Sequence, residues 1–279
     1  MSFYPQPNSY SCGPFALKYA LVMLGIFKNE RDIGKTAGVT WWAGTDEIGL
    51  SRAAKKYNCR MKYFRKDDPA HALGKLDREL DRGIPCILSV DGWGHWLTVL
   101  SKQNGRYIIV DSGLEKVISV FSTRQLLKRW RYLDEGTVVS FDGYSIIPCF
   151  KVNSKASFTV EKARKVMYKK NHLLAKRWDL YFNDLISICR PRTPLSYNIM
   201  TFAEFLRRHE KTIVKRVSFW HGTPNYDELR KLLRNMQFVA EVYDLVIYEE
   251  DEKKAVIDLA SILMMYSCGK YGMEPIYNQ

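Results

Sequence analysis

The amino-acid sequence predicts an α+β protein in which an N-terminal helix packs on an antiparallel sheet and a mostly helical second half follows. The first observation is an apolar pattern at three- and four-residue steps behind Cys12, which is typical of a helix. The second is a series of short apolar, β-branched runs between residues 85 and 113, separated by Gly-rich turns, which indicates strands. The third is the dominance of helical patterns after residue 150. We therefore expect two domains, at residues 1–150 and 151–279.

The first domain should alternate helices and strands after the helix that begins at Cys12. Turn-forming Gly, Pro, Asn and Asp residues separate the apolar runs. The expected helices lie at 46–57, capped by Thr45, at 68–81 and at 122–132. The expected strands lie at 59–64, 87–90, 95–100 and 107–110, with further strand through 138–150.

Trp41 and Trp42 lie outside these elements, in a short stretch that ends at Gly44. They could form a wall of a substrate groove. We favour packing in the core and on the surface instead, because aromatic side chains are commonly structural.

The second domain begins with a linker at 151–155. Thr159 should cap a long basic helix that runs towards Leu185. Further helices are expected at 201–214, 227–236 and 255–266, with a strand within 238–248. The sequence thus indicates a mostly α-helical accessory domain, and its family is not recognised.

Cys12 is placed where an irregular segment becomes a helix, in the sequence Ser11-Cys12-Gly13-Pro14. The unpaired N–H groups and the positive dipole end of a helix favour a thiolate, which is the nucleophilic form of cysteine. Pro14 suits a first helical turn because its missing N–H would have no partner there. Taken alone, a cysteine beside an apolar run is more often a small buried hydrophobic residue than a catalyst.

His95 opens one expected strand, and Asp111 directly follows the next. In an antiparallel pair these two side chains can be neighbours, because opposite residues lie about 5 Å apart. A carboxylate in that place can hold an imidazole in one tautomer. Taken singly, Asp111 could equally cap a turn before Ser112-Gly113, and His95 could be a surface residue at a strand end.

The pattern formed by Gln6, Cys12, His95 and Asp111 resembles that of the C39 peptidase family of papain-like cysteine peptidases. This family is best known for cleaving double-glycine leader peptides. Five residues separate Gln6 from Cys12, His95 follows Cys12 by 83 positions, and Asp111 follows His95 by 16. The resemblance covers about residues 1–150. Ser11 stands where the family commonly carries Asp. The best-known members are fused to membrane-spanning ABC transporters, whereas no run here approaches the about 18 apolar residues of a membrane span.

The resemblance implies a papain-like fold and a Cys-His-Asp triad. Cys12 would be the nucleophile, His95 the base and Asp111 the orienting group, while the Gln6 amide would join the Cys12 backbone N–H in an oxyanion hole. We therefore expect a cysteine peptidase that acts on a peptide or protein substrate, without a cofactor or metal. If an amine resolved the thioester instead of water, the same residues would form an acyltransferase or transpeptidase. The competing class is a non-catalytic binding module.

The net charge of +13 raises nucleic acid as a second partner. Basic residues crowd two helical segments of the second half: Lys162, Arg164, Lys165, Lys169, Lys170, Lys176 and Arg177, then Arg207, Arg208, Lys211, Lys215 and Arg216. A charge-rich helix is more often a solvated face, and no established nucleic-acid motif accompanies the charge. Nucleic acid is therefore the less favoured partner.

Six cysteines, at positions 12, 59, 86, 149, 189 and 268, are scattered without a CxxC pair. Their spacing predicts neither a disulfide framework nor a zinc site. The opening residues lack a basic stretch followed by an apolar region, so a secretory signal is not expected. These features favour a cytoplasmic protein, in a reducing compartment that keeps a catalytic thiol free.

Overall fold

A computed structural model describes residues 2–134, 138–168, 171–220 and 226–267 of the chain. It divides after Arg177 into two compact units. The sequence places the domain boundary at residue 150, whereas the segment that follows bonds to the first unit in the structure. The Ala156 N–H donates to Met23 O at 2.9 Å, and the Ser101 hydroxyl donates to Phe158 O at 2.9 Å.

The first unit contains the predicted alternation of helices and strands. Its helices are α1 (Cys12–Met23), α2 (Glu30–Ala37), α3 (Glu47–Lys56), α4 (Pro69–Asp81), α5 (Thr123–Trp130), α6 (Val160–Met167) and α7 (His172–Lys176). Its strands are β1 (Cys59–Lys66), β2 (Cys86–Val90), β3 (His95–Gln103), β4 (Arg106–Val110), β5 (Ile118–Ser122), β6 (Arg131–Asp134) and β7 (Val138–Pro148). The sequence did not predict α2, β5 or β6.

The strands of the first unit form one antiparallel sheet in the order β1-β7-β2-β3-β4-β5, and β6 pairs with the long strand β7. Strands β3 and β4 are central to the candidate site, because His95 opens β3 and Asp111 directly follows β4. Helices and an antiparallel sheet in one unit confirm the predicted α+β class.

Helix α1 is buried along its whole length, from Cys12 to Met23, rather than on one face as its spacing predicts. It packs on β3, where the buried Thr98 hydroxyl donates to Ala16 O at 2.7 Å. Even Lys18 is buried, with a side chain only 3% exposed, and its ammonium pairs with Glu30 of α2 at 3.0 Å. A buried ammonium is tolerated only where such a partner is present. The ion pair therefore holds α2 against the helix that carries Cys12.

Helix α3 is capped by Asp46 rather than by Thr45, so the predicted cap was wrong by one residue. The Asp46 carboxylate accepts a hydrogen bond from the Gly49 N–H at 2.7 Å, as an N-cap does. Thr45 is buried, and its carbonyl accepts the Trp96 indole N–H at 3.0 Å. It also lies against Gly13, where an added Cβ would be only 3.0 Å from the Thr45 Cβ. Thr45 thus supports the start of α1.

The long helix predicted from Thr159 towards Leu185 was wrong, because the structure has three shorter helices, α6, α7 and α8 (Trp178–Ile188), in that region. Its predicted cap is confirmed, since Thr159 Oγ1 accepts the Lys162 N–H at 3.1 Å. Lys169, Lys170 and Cys268, which the sequence analysis counted among basic residues and cysteines, lie outside the described residues.

The second unit combines helices with a small antiparallel sheet in the order β8-β10-β9. After α8 come β8 (Arg190–Pro191), β9 (Ile199–Thr201), α9 (Phe202–Trp220), α10 (Tyr226–Val242), β10 (Leu245–Tyr248), a 3-10 turn (Glu249–Asp251) and α11 (Glu252–Ser267). The strand predicted within 238–248 is confirmed only at its end, because α10 continues to Val242. The apolar residues at 238–242 lie on the buried face of α10. A short apolar pattern alone does not distinguish such a helix face from a strand.

We predict that Glu30→Ala lowers the free energy of unfolding by about 3 kcal/mol, because it leaves the buried Lys18 ammonium without its carboxylate. The double variant Lys18→Met/Glu30→Leu should recover most of that loss, since it removes both charges and fills the space. Urea unfolding followed by circular dichroism measures both, with exposed Lys35→Ala on α2 as the control. A Glu30→Ala variant as stable as this control would contradict the assignment.

Candidate active site

Cys12 is the first residue of α1 and is 6% exposed. The preceding Ser11 makes no side-chain cap on the helix, because its hydroxyl donates to Asn8 Oδ1 at 2.5 Å. The positive end of the helix dipole and its first N–H groups are therefore left for the thiol or for a ligand at that point. The sequence placed Cys12 at this helix start correctly.

His95 and Asp111 meet as a hydrogen-bonded pair. The His95 Nε2 atom lies 2.6 Å from Asp111 Oδ1, and the Asp111 side chain is fully buried. Strand register explains the contact. Thr98 pairs with Val110, so the end of β4 runs alongside the start of β3. The structure thus brings together these two residues, which lie 16 positions apart in the sequence.

The Cys12 side chain lies close enough to the His95 ring to raise the pKa of that ring. Since Nε2 faces Asp111, Nδ1 is the ring nitrogen that remains for Cys12. Burial lowers the pKa of His95, but the hydrogen bonds and negative charges of Asp111 and Cys12 outweigh it and raise the pKa to about 9. Below that pH the ring carries a proton, which is the form that stabilises a thiolate beside it.

The pKa of Asp111 is lowered although burial alone would raise it. Hydrogen bonds from His95, Arg129 and the Gly113 N–H, together with the charge of His95, favour the carboxylate. His95 and Asp111 therefore hold opposite charges near neutral pH. Such opposed shifts in a partly buried pair are typical of functional sites, although structural ion pairs produce them too.

Gln6 lies in the loop before α1 and is tied to the residue after Asp111. Its backbone N–H donates to Ser112 O at 2.9 Å, and its side-chain Oε1 accepts the Ser112 hydroxyl at 2.6 Å. The Gln6 amide nitrogen donates to Asn8 O at 2.7 Å. Through Asn8 the same loop reaches Ser11, directly before Cys12. The amide is therefore oriented by bonds on both of its ends.

Three residues at this site were missed by the sequence analysis: Ser112, Asp91 and Arg129. Ser112 orients Gln6, as described above. Arg129 of α5 donates through Nη1 to Asp111 Oδ2 at 2.6 Å and through Nε to Asp91 Oδ1 at 3.0 Å. An arginine in a basic helix gives no sequence signal for such contacts, because its partners lie 18 and 38 positions away.

Gly113 lies close against the His95–Asp111 pair. An added Cβ would lie 3.2 Å from both Asp111 Oδ1 and His95 Cε1. Any larger residue at this position would press on the imidazole and its hydrogen bond. The Ser112-Gly113 turn, which the sequence predicted to follow the strand, thus also forms one wall of the site.

Trp41 and Trp42 are 74% and 69% exposed, so of the favoured packing in the core and on the surface, the core part was wrong for both. They contact each other edge to face, with ring centroids 5.5 Å apart. Their turn is closed by backbone hydrogen bonds between Thr40 and Gly44, and Gly44 approaches the backbone of Tyr10. Two exposed indoles therefore stand on a loop that contacts the segment just before Cys12.

Comparison with solved structures finds C39-like peptidase domains of ComA and related ABC transporters. The peptidase domain of Streptococcus ComA, a bi-functional ABC transporter involved in quorum sensing, is 20% identical, with a TM-score of 0.40, over 53% of this chain and 98% of that domain. A double-glycine-motif protease from an AMS/PCAT transporter, solved with its leader peptide, is 18% identical (TM-score 0.39; 52% and 90% covered). The C39-like domain of a Vibrio parahaemolyticus toxin secretion ATP-binding protein is 14% identical (0.38; 51% and 98%).

No protein-family model matches the chain, and no curated protein is similar to it. The structural neighbours are of the kind that the sequence resemblance implied. At identities of 14–20% and TM-scores below 0.5, they carry no weight for the chemistry, which has to be judged from the site itself.

The described residues contain no group of three or more His, Cys, Asp or Glu side chains that could hold a metal ion. Within the same part of the chain, no helix is long and apolar enough to cross a membrane.

We predict that the His95 ring titrates near pH 9 and that Asp111→Asn lowers this midpoint by more than about one unit, because it removes the negative charge that offsets burial. Proton-dependent chemical shifts of the ¹³C-labelled imidazole measure both values, and His95→Gln assigns the signal. The exposed His71 provides an internal reference. A His95 midpoint equal to that of His71 would contradict the described environment.

Proposed function

We propose that the protein is a cysteine peptidase, an amide-bond hydrolase that acts on a peptide or protein substrate. The observation that carries the proposal is the pairing of His95 Nε2 with Asp111 Oδ1 at 2.6 Å, with the Cys12 side chain close enough to the same imidazole to raise its pKa. A nucleophile, a base and a group that orients the base are the parts that covalent catalysis by a thiol requires.

In the proposed first step, His95 Nδ1 holds the proton of Cys12, and the thiolate attacks the carbonyl carbon of the substrate. A C–S bond forms, and the carbonyl electron pair moves to oxygen. Asp111 accepts the Nε2–H bond of His95 throughout and so keeps Nδ1 directed at the sulfur. His95 then gives its proton to the departing amine as the C–N bond breaks, and a thioester remains on Cys12.

Gln6 and the start of α1 are proposed to stabilise the oxyanion. The Gln6 amide carries two hydrogens, of which one bonds to Asn8 O; the second would donate to the oxyanion together with the Cys12 N–H. Ser112 supports this role, because it binds the amide oxygen and fixes which edge of the amide presents hydrogens. Donors that are already oriented stabilise developing charge without reorganisation, which makes them a large catalytic term.

Water attacks the thioester in the proposed second step, with His95 again as the base, and this releases the acyl product. If an amine enters instead, the acyl group is transferred and the protein acts as an acyltransferase or transpeptidase. Hydrolysis is the function we propose, since no feature of the site singles out an amine acceptor. A reducing cytoplasm is the proposed location, because the nucleophile has to remain a free thiol.

A peptide substrate is proposed because the Cys12 thiol and the His95 imidazole can together attack a carbonyl carbon, such as that of a peptide bond. The exposed indoles of Trp41 and Trp42 offer an apolar surface beside the segment that leads to Cys12. This surface supports a substrate with apolar side chains near the cleaved bond.

Binding of nucleic acid by the basic second half stays a prediction. Part of its charge is used within the second unit, where Glu204 accepts hydrogen bonds from Arg207 at 2.7 Å and from Arg208 at 2.8 Å. Arg208 also pairs with Glu252 at 3.3 Å. Arginines held by carboxylates offer less charge to phosphates, so the structure gives this alternative no support.

We predict that iodoacetamide labels Cys12 faster than Cys149 of the same molecule, although Cys149 is exposed and Cys12 is nearly buried. The reason is the His95 ring, which stabilises the thiolate of Cys12. His95→Ala should slow labelling of Cys12 by about tenfold or more and leave that of Cys149 unchanged. Peptide mass spectrometry measures both sites in one sample. Labelling of Cys12 no faster than that of Cys149, and independent of His95, would exclude the peptidase mechanism.

We predict that Gln6→Ala lowers kcat/KM for a cleaved peptide by about a hundredfold or more, the usual effect of removing one oxyanion donor. Labelling of Cys12 by iodoacetamide should stay the same, because alkylation develops no oxyanion. Ser112→Ala should lower kcat/KM less, since the Gln6 amide loses only its orientation. Gln237→Ala in the second unit is the control. Equal rates for Gln6→Ala and this control would remove Gln6 from the mechanism.

A further inference from the structure

Arg129 joins two carboxylates, those of Asp91 and Asp111. Its guanidinium donates through Nη1 to Asp111 Oδ2 at 2.6 Å, and through Nε and Nη2 to both oxygens of Asp91. Asp111 is the group that holds the His95 ring, and Asp91 follows strand β2 at the start of the turn that leads into His95. One side chain thus binds the partner of the imidazole and the backbone segment that carries it.

The turn between β2 and β3 depends on external support. Asp91 and Trp93 both have left-handed backbone conformations, with φ of 54° and 66°, which are uncommon for residues other than glycine. Such conformations persist where the surrounding structure imposes them. Here the Asp91 N–H donates to the backbone oxygen of Arg129 at 2.8 Å, in addition to the side-chain bonds. The Trp93 indole is held separately, by a hydrogen bond to Asp142 at 3.2 Å.

The charges along this row alternate. In the proposed mechanism Cys12 is negative, His95 positive, Asp111 negative, Arg129 positive and Asp91 negative. When His95 gives its proton to the leaving amine it becomes neutral, and the buried Asp111 loses its cationic neighbour on that side. Arg129 then remains as the counter-charge, so Asp111 stays an acceptor for the Nε2–H bond. His95 therefore keeps Nδ1 free to act as the base when water attacks the thioester.

We infer that Arg129 is a positioning residue, which acts through Asp111 and Asp91 to keep His95 aligned and in one tautomer through both halves of the reaction. This inference rests on the proposed function. It assigns no contact with substrate to Arg129. Arginine suits the place better than lysine, because its planar fork can reach two carboxylates at once, whereas an ammonium is a single point of charge.

Charged and titratable groups face His95 and Asp111 from α1, from the end of β4 and from α5. His95 is faced by Cys12 from α1 and by Asp111 from the end of β4. Asp111 is faced by His95 and by Arg129 of α5, and its charge is also felt by Tyr19 of α1, whose hydroxyl donates to Tyr4 O at 2.8 Å. Arg129 keeps its positive charge throughout the proposed reaction, whereas His95 gains and loses a proton.

The test compares Arg129→Met and Arg129→Lys with the wild type in two measurements. The first is the midpoint of the Asp111 carboxyl titration, followed by ¹³C-aspartate NMR and assigned with Asp111→Asn. The second is the rate of Cys12 labelling by iodoacetamide relative to Cys149. Arg124→Met is the matched control, because Arg124 lies on the same helix with an exposed side chain.

Arg129→Met should raise the Asp111 midpoint by about one unit or more, since a nearby opposite charge is lost. It should also slow Cys12 labelling at neutral pH about tenfold. Arg129→Lys keeps the cation and should therefore leave the Asp111 midpoint low, while labelling is still slower than in the wild type. Arg124→Met should match the wild type in both measurements. A lost packing contact alone would not move the carboxyl titration.

Three results would count against the inference, and they are distinguishable. If wild-type Cys12 is labelled no faster than Cys149, the proposed function itself fails, and the inference falls with it. If wild-type Cys12 is reactive but a folded Arg129→Met matches the wild type in both measurements, only the inference is overturned. Should Arg129→Met fail to fold, Arg129→Lys decides, and a labelling rate equal to the wild type would then overturn the positioning role.

Discussion

The carboxylate of Asp111 is fully buried, and a buried anion is stable only where donors and opposite charges surround it. It receives three donors: the His95 ring, the Gly113 N–H and the Arg129 guanidinium. These come from the start of β3, from the turn after β4 and from α5. Stabilising this one carboxylate therefore requires β3, the turn after β4 and α5 to be placed correctly relative to one another. The geometry of the candidate site is a result of that requirement.

The fold could be predicted from the sequence where pattern and length agreed. Strand β3 and helix α4 have clear periodicities and turn signals, and their predicted cores match the structure. Helix α2 was missed because it is short and mostly polar, with Ile33 as its one large buried side chain. The helix boundary near Val242 failed for a related reason, since a buried helix and a short strand share the same apolar residues.

Only those residues of the site that belong to a local sequence pattern could be predicted. Cys12 at a helix start and His95 and Asp111 at neighbouring strand ends follow from patterns that are visible in the chain. The contribution of Arg129 depends on how α5 lies on the sheet, which no spacing in the sequence encodes. The exposed position of Trp41 and Trp42 is similar, because composition favours burial of indoles and only the closed turn shows that they face solvent.

Every residue of helix α1 is buried, and this limits the substitutions that the helix can accept during evolution. A surface helix offers positions that can vary at little cost, whereas close-packed interiors respond to the gain or loss of a single methylene. The platform that carries Cys12 is therefore a poor place for adaptive variation. Substitutions are more easily accepted at exposed loop positions such as Trp41 and Trp42, where side chains can be exchanged without repacking the interior.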